Sequence, residues 1–340
     1  MSVVKAATTG TGGPSVFDCF LCRIYFHLCI DFSRPVLIFI LIAGVLGLSA
    51  CGPAADAPVE VFGGPDSQRM AEVVAALKSG LKPRPVRVTL VSPATGGDEA
   101  LRRVRARHPP LIVVLGTGAL TLAAPAEKRI PLVFAMVGNP YFTGAAADAR
   151  HPEIHQRNIT GIASPPPVAA ALERGARLLG PRRWGLVYDP LDGASLEIKE
   201  RFEALAPTYG LTPLTEAASD AFGDRQAFDK LTAAGAQVFY LPPAASAARY
   251  GPMLLELGRQ RRTRVVSSHP ELPAPGAILR VTTDYRRLGE EAAAVARRVL
   301  AGEAPARIPI MESTPISIAA DESLLNFWSG YPPLPRRKAP

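Results

Sequence analysis

Reactive chemistry in this chain would have to come from few residues: four cysteines and five histidines among 340. Cys51 has the most telling context. Leu48-Ser49-Ala50-Cys51 closes the uncharged apolar run Pro35–Leu48, which Arg34 precedes. The tetrapeptide matches the bacterial lipobox: small residues at 49 and 50 let an extended backbone enter a peptidase site, and the Cys51 thiol then takes a diacylglycerol. The apolar run falls short of the about 20 residues that span a bilayer. Residues 1–50 therefore read as a lipoprotein signal peptide and 51–58 as a flexible tether. Signal peptides run about 15–30 residues, and a start near residue 28 would leave Arg34 as the leading charge. Cys19 and Cys22 have redox or metal-ligand spacing, but no second such pair or neighbouring histidines complete a site, and both precede the cleavage point. His151-Pro-Glu-Ile-His155 has neither the order nor the uninterrupted helix of a zinc-protease motif. No nucleophile elbow, phosphate loop or dinucleotide fingerprint is present, and the Gly10–Gly13 cluster lies in the leader. The reading is a binding protein and not an enzyme, with no metal and no cofactor.

Charge narrows the partners. The formal net charge is +8, and Lys5, Arg23 and Arg34 against Asp18 and Asp31 leave +7 after the leader. The basic residues are spread over helix-forming stretches such as 101–107 and 257–264, without a basic tail or interleaved aromatics, so a solvated surface is expected and nucleic acid is not.

From residue 59 onward short apolar runs alternate with helical periodicity. Met70, Val73, Val74 and Leu77 follow helical spacing after Asp66, a candidate cap. Leu111–Leu115 is continuously apolar, as in a strand buried on both faces of a parallel sheet. A helix capped by Asp224 should turn Phe228 and Leu231 inward, and one over 285–301 should bury Leu288, Ala292, Val295 and Val299. The alternation occurs in two blocks around residue 163, which predicts an α/β fold of two lobes with parallel sheets flanked by helices. Open sheets of this kind hold ligands beyond the carboxyl ends of their strands. The loops to watch are 63–67, 116–119, 138–140, 188–195, 241–243, 267–270 and 282–285, whose backbone N–H groups and helix starts suit a small polar or anionic solute.

Ile130-Pro-Leu-Val-Phe-Ala-Met-Val-Gly-Asn-Pro140, Asn158-Ile-Thr-Gly-Ile162, Asp284-Tyr285-x-x-Leu288-Gly289 and Leu300-Ala-Gly-Glu-Ala-Pro-Ala-Arg-Ile-Pro309 occur in that order. In these stretches the chain resembles the ABC-transporter substrate-binding lipoproteins, in the branch related to tryptophan- and tyrosine-binding proteins, from about residue 85 to 332. The resemblance implies the type 1 periplasmic-binding fold with a hinge of three crossovers near 162–164, 282–285 and 306–310. Lobe 1 would be 59–163 with 284–307, lobe 2 would be 164–283 with 308–331, and 332–340 a Pro-rich tail. The ligand loops it implies are Thr117-Gly118-Ala119 and Gly138-Asn139-Pro140 in the first lobe. In the second they are Tyr188-Asp189-Pro190 with Ser195, then Pro242, then Ser268, with Asp284 standing between helix cap and cleft carboxylate. Many relatives carry Asp where this chain has Asn139, and Ser-Asp where it has Ser268-His269. A carboxylate-bearing or neutral solute is therefore expected over a zwitterionic amino acid, since an ammonium in the cleft would lack a partner. If His269 faces the cleft, anion affinity should rise as pH falls through about 6.5. The implied partners are a small-molecule solute, ABC permease subunits and, through the lipid, the cell or outer membrane on its extracytoplasmic side. A sensor or other non-ABC system is the alternative user of the same binding fold.

Overall fold

The computed structural model describes residues 57–64, 67–91, 96–180 and 182–329. The expected signal peptide, Cys51, most of the expected tether, Asp66 and the Pro-rich tail lie outside the described residues.

The first lobe is a six-stranded sheet in the order β11-β5-β4-β3-β1-β2. Its strands are β1 (Val59–Gly63), β2 (Val86–Leu90), β3 (Ile112–Leu115), β4 (Leu132–Val137), β5 (Ile159–Ala163) and β11 (Met311–Glu312), all paired in parallel. Side chains alternate across each strand, so β3 divides between two cores. Val113 and Leu115 meet α1 (Gln68–Gly80) and α8 (Tyr285–Leu300), while Ile112 and Val114 meet α2 (Gly97–Ala106) and α3 (Thr117–Ala126). That two-sided burial is what its unbroken apolar run predicts. Glu60 on β1 is a buried carboxylate, compensated by Arg87 at 3.1 Å and Arg107 at 2.9 Å.

Helix α8 follows a strand of the other lobe yet buries Leu288, Ala292, Val295 and Val299 in the first. Gly289 permits this: a Cβ there would come 2.7 Å from both the Val73 carbonyl oxygen and the Ala76 Cβ of α1. The Asn158 side chain donates to the Glu127 and Ile130 carbonyls, each at 3.1 Å, fixing the entry to β5. Two of the motifs that carry the family resemblance thus include residues whose visible work is packing.

The second lobe is a six-stranded sheet in the order β12-β10-β9-β8-β6-β7. Its strands are β6 (Arg183–Tyr188), β7 (Thr212–Ala217), β8 (Val238–Leu241), β9 (Arg264–Ser267), β10 (Leu279–Thr283) and β12 (Ile316–Ala320). Helices α4 (Val168–Leu179), α5 (Gly193–Leu205) and α9 (Glu322–Ser329) cover one face, and α6 (Ala221–Ala233) and α7 (Ala247–Arg259) the other. Among the described residues no helix is long and apolar enough to cross a membrane.

Several expectations are corrected. The second sheet is mixed, because β12 returns antiparallel to β10. The last crossover lies at 313–315 and not near 306–310, since Met311 and Glu312 still pair with Ile162 and Ala163 in the first lobe. The sheet boundary therefore falls later than 307/308. Helix α6 is capped by Asp220, whose Oδ1 accepts from the Gly223 N–H at 2.7 Å, and Asp224 sits buried one turn inside. The cap of α1 is Ser67, which accepts from the Met70 N–H at 3.3 Å.

The three crossovers run side by side. Ser313 N–H donates to the Ala163 carbonyl at 3.0 Å and Asp284 N–H to the Pro315 carbonyl at 2.7 Å. The Thr314 hydroxyl donates to the Pro165 carbonyl at 2.9 Å. A narrow hydrogen-bonded band between two separately packed cores is the anatomy of a hinge.

Candidate functional site

On the first rim, β3 passes through Gly116 (φ 95°) into α3, and Gly116 offers no side-chain cap. Leu120 makes the first helical bond back to Gly116, so the N–H groups of Thr117, Gly118 and Ala119 find no acceptor within the helix. Thr117 and Gly118 are exposed on this rim, whereas the Ala119 side chain is buried in the lobe core and offers only its backbone. On β4 the register slips between Phe134 and Val137, and Met136 takes φ 59°. A non-glycine residue held there is strained, and the bulge re-aims the chain that carries Gly138 and Asn139. The Asn139 Oδ1 accepts from the Tyr141 N–H at 3.1 Å and caps the turn Pro140–Thr143. The residues beyond it are held by an Ala146–His155 bridge, with His151 3.4 Å from Glu153. Among the described residues no group of three His, Cys, Asp or Glu side chains could hold a metal ion.

On the second rim, two predicted ligand residues are engaged within their own loop. The buried Ser195 hydroxyl accepts the Asp189 N–H at 2.9 Å. One Asp189 oxygen accepts the Leu191 N–H at 2.9 Å and the other faces Arg249 at 3.3 Å. The Leu191 N–H, followed by Arg249 and Ser219, holds the Asp189 carboxyl below its ordinary pKa despite the opposing effect of burial. Arg249 also grips Asp224 through two bonds of 2.6 and 3.0 Å and the Ala218 carbonyl at 3.1 Å, and Asp224 followed by Asp189 raises the Arg249 pKa. Asp284 caps α8 through the Arg287 N–H at 2.9 Å. Tyr188 is half-buried at the end of β6, its ring 5.7 Å from the Lys199 ammonium, and Pro242 is buried.

His269 differs from the expectation placed on it. It is buried, and its Nδ1 accepts from the N–H groups of Glu271 at 3.3 Å and Leu272 at 3.2 Å. Burial pushes its pKa below the ordinary value, assisted by Arg69 and Arg280 and opposed by Glu271. The ring is a neutral acceptor that shapes the turn after β9, not an imidazolium offered to an anion.

What joins the rims was not anticipated. Arg69, in the first turn of α1, reaches Glu271 of the second lobe at 2.7 Å. Burial works against the Arg69 charge, but interactions with Tyr285 and Glu271 outweigh it and raise the pKa. Its Nε is buried and has no hydrogen-bond partner. The hydroxyls of Ser164 on the first crossover and of Ser246 after β8 are buried without partners too. Such groups are rare in native proteins. The apolar side chains of Phe142 and Leu191 stand 87% and 86% exposed on the loops after β4 and β6. One signal for Arg69 was available in sequence: a cation in the first helical turn opposes the helix dipole and asks for another reason to be there.

The comparisons agree with this architecture. No curated protein matches the chain. Among solved structures it resembles the ligand-free, open structure of CD0873, a substrate binding protein with adhesive properties from Clostridium difficile. There the TM-score is 0.69 at 16% identity, covering 82% of this chain and 97% of that one. An ABC domain in complex with L-Trp from Streptococcus pneumonia matches with TM-score 0.61 at 18% identity over 80% and 94%. AraP, an arabinose binding protein from Geobacillus stearothermophilus, matches with TM-score 0.58 at 13% identity over 80% and 99%. These likenesses establish the type 1 periplasmic-binding fold. The family model for ABC transporter substrate binding proteins matches residues 97–323, and the chain belongs to that family.

Proposed function

We propose that the chain captures a small carboxylate-bearing solute with an apolar body between its lobes and delivers it to an ABC permease. The Cys51 thioether would hold it to the cell or outer membrane on the extracytoplasmic side. The observation that carries the solute class is Arg69. Its partner Glu271 is half-exposed, so their ion pair contributes only about 0–1 kcal/mol and a ligand carboxylate can exchange for it. The partnerless Nε and the uncapped start of α3 supply further donors for the same anion. Phe142, Leu191 and Tyr188 give a closing cleft apolar surface to cover.

An ammonium group fares worse. Asn139 and His269 stand where many relatives have carboxylates, Asp189 and Asp284 are engaged in their own loop and helix cap, and Glu271 is half in water and paired with Arg69. Calorimetry with phenylalanine, tyrosine and tryptophan beside their deaminated acid analogues tests the reading. The acids should bind and Arg69→Gln should abolish it. Binding of the amino acids alone, lost in Glu271→Gln, would make Glu271 an ammonium acceptor and overturn the proposed preference.

A further inference from the structure

At the opposite end of the second lobe from the cleft lies a cavity of about 490 Å³, among the amino ends of β8 and β9, α6, α7 and Trp328 of α9. That volume suits a small organic molecule. Its wall is largely apolar, with Phe228, Phe239, Met253 and Leu254. Arg264 also lines it, and this guanidinium is the anomaly. Arg264 is only 4% exposed, its Nε is buried without a partner, and no carboxylate among the described residues lies within ion-pair distance.

What Arg264 has instead is the Trp328 ring, 4.0 Å from its Cζ. A cation–π contact replaces only part of the hydration that burial removes. Burial and the nearby Arg182 push the Arg264 pKa down to about 10. The other charges at the mouth do not compensate: Asp229 faces Arg225 at 3.8 Å, and Arg262 adds a further cation.

We propose that this cavity is a second binding site, for a small amphipathic organic anion whose carboxylate pairs with Arg264 while its apolar body lies on Phe228, Phe239 and Met253. The planar guanidinium fork matches a carboxylate in two parallel hydrogen bonds.

The test is calorimetric titration of the full-length Arg69→Gln variant, whose cleft lacks its proposed carboxylate partner, with 2-naphthoate and with its neutral counterpart, 2-naphthalenemethanol. Naphthoate should bind saturably at one site, and the neutral alcohol at least about tenfold more weakly. Arg264→Met should weaken naphthoate by a similar factor while melting no lower than the parent, because it removes an uncompensated buried cation. Met253→Trp, which fills the cavity and leaves Arg264 in place, should also block binding. No saturable binding in Arg69→Gln, or binding there that is indifferent to added Arg264→Met and Met253→Trp, would each overturn the proposal.

Discussion

Replacing Arg249 by methionine removes the cation that ties the loop after β6 to helix α6. In the native protein its guanidinium makes two bonds to Asp224, one to Asp189 and one to the Ala218 carbonyl. Asp224 is only 2% exposed, so losing the partner strands a buried carboxylate. Breaking a fully buried pair from one side costs about 3–5 kcal/mol. The Arg249 side chain is 28% exposed, so solvent screening brings the estimate to about 2–4 kcal/mol. For a domain of 150–250 residues each kcal/mol moves the melting temperature by about 2–4 °C, which gives a fall of about 5–15 °C by calorimetry or circular dichroism. The double variant Asp224→Leu/Arg249→Met, with both charges gone, should recover most of that loss. Solute affinity measured well below the melting point should be kept, because the proposed carboxylate partner is Arg69 and not this cluster. A melting point of Arg249→Met within about 2 °C of the parent would refute the assignment of this cluster as a buried brace.

Two further outcomes follow from other parts of the chain. His269 has a folded pKa below its unfolded value of about 6.5, so its contribution to stability is complete above that pH and is lost as pH falls through the folded value. Denaturant titrations between pH 7.5 and 5 should lose up to about 1.4 kcal/mol per pH unit, and His269→Asn, which keeps an acceptor for the turn, should flatten that slope; an unchanged slope would exclude His269 as its source. Cys51→Ala should abolish metabolic labelling with radioactive fatty acid, and labelling that persists would remove the basis for a lipid anchor at this position.

The alternation of apolar runs and helical spacing made the two α/β blocks legible because β3 and α8 obey simple periodicities that burial enforces. The two-residue strand β11 was not legible: it follows Pro309, is too short for a period, and exists only because β5 offers an edge. The antiparallel return of β12 is set by the third crossover, which depends on that same pairing. In the candidate cleft, loop positions were readable and side-chain duties were not. Ser195, Asp189 and His269 have the chemistry of ligand contacts, yet each satisfies a neighbouring backbone N–H, a choice that only the loop geometry reveals. Arg69 and Glu271 are far apart in sequence and meet only because two sheets face each other across the hinge.

In the proposed mode of action a solute carboxylate takes Arg69 and draws the two lobes together. Small-angle X-ray scattering with and without a saturating deaminated aromatic acid tests it most directly. The parent chain should show a smaller radius of gyration with the acid present, and Arg69→Gln should show no change. Compaction that survives Arg69→Gln, or calorimetrically confirmed binding in the parent without any compaction, would contradict it.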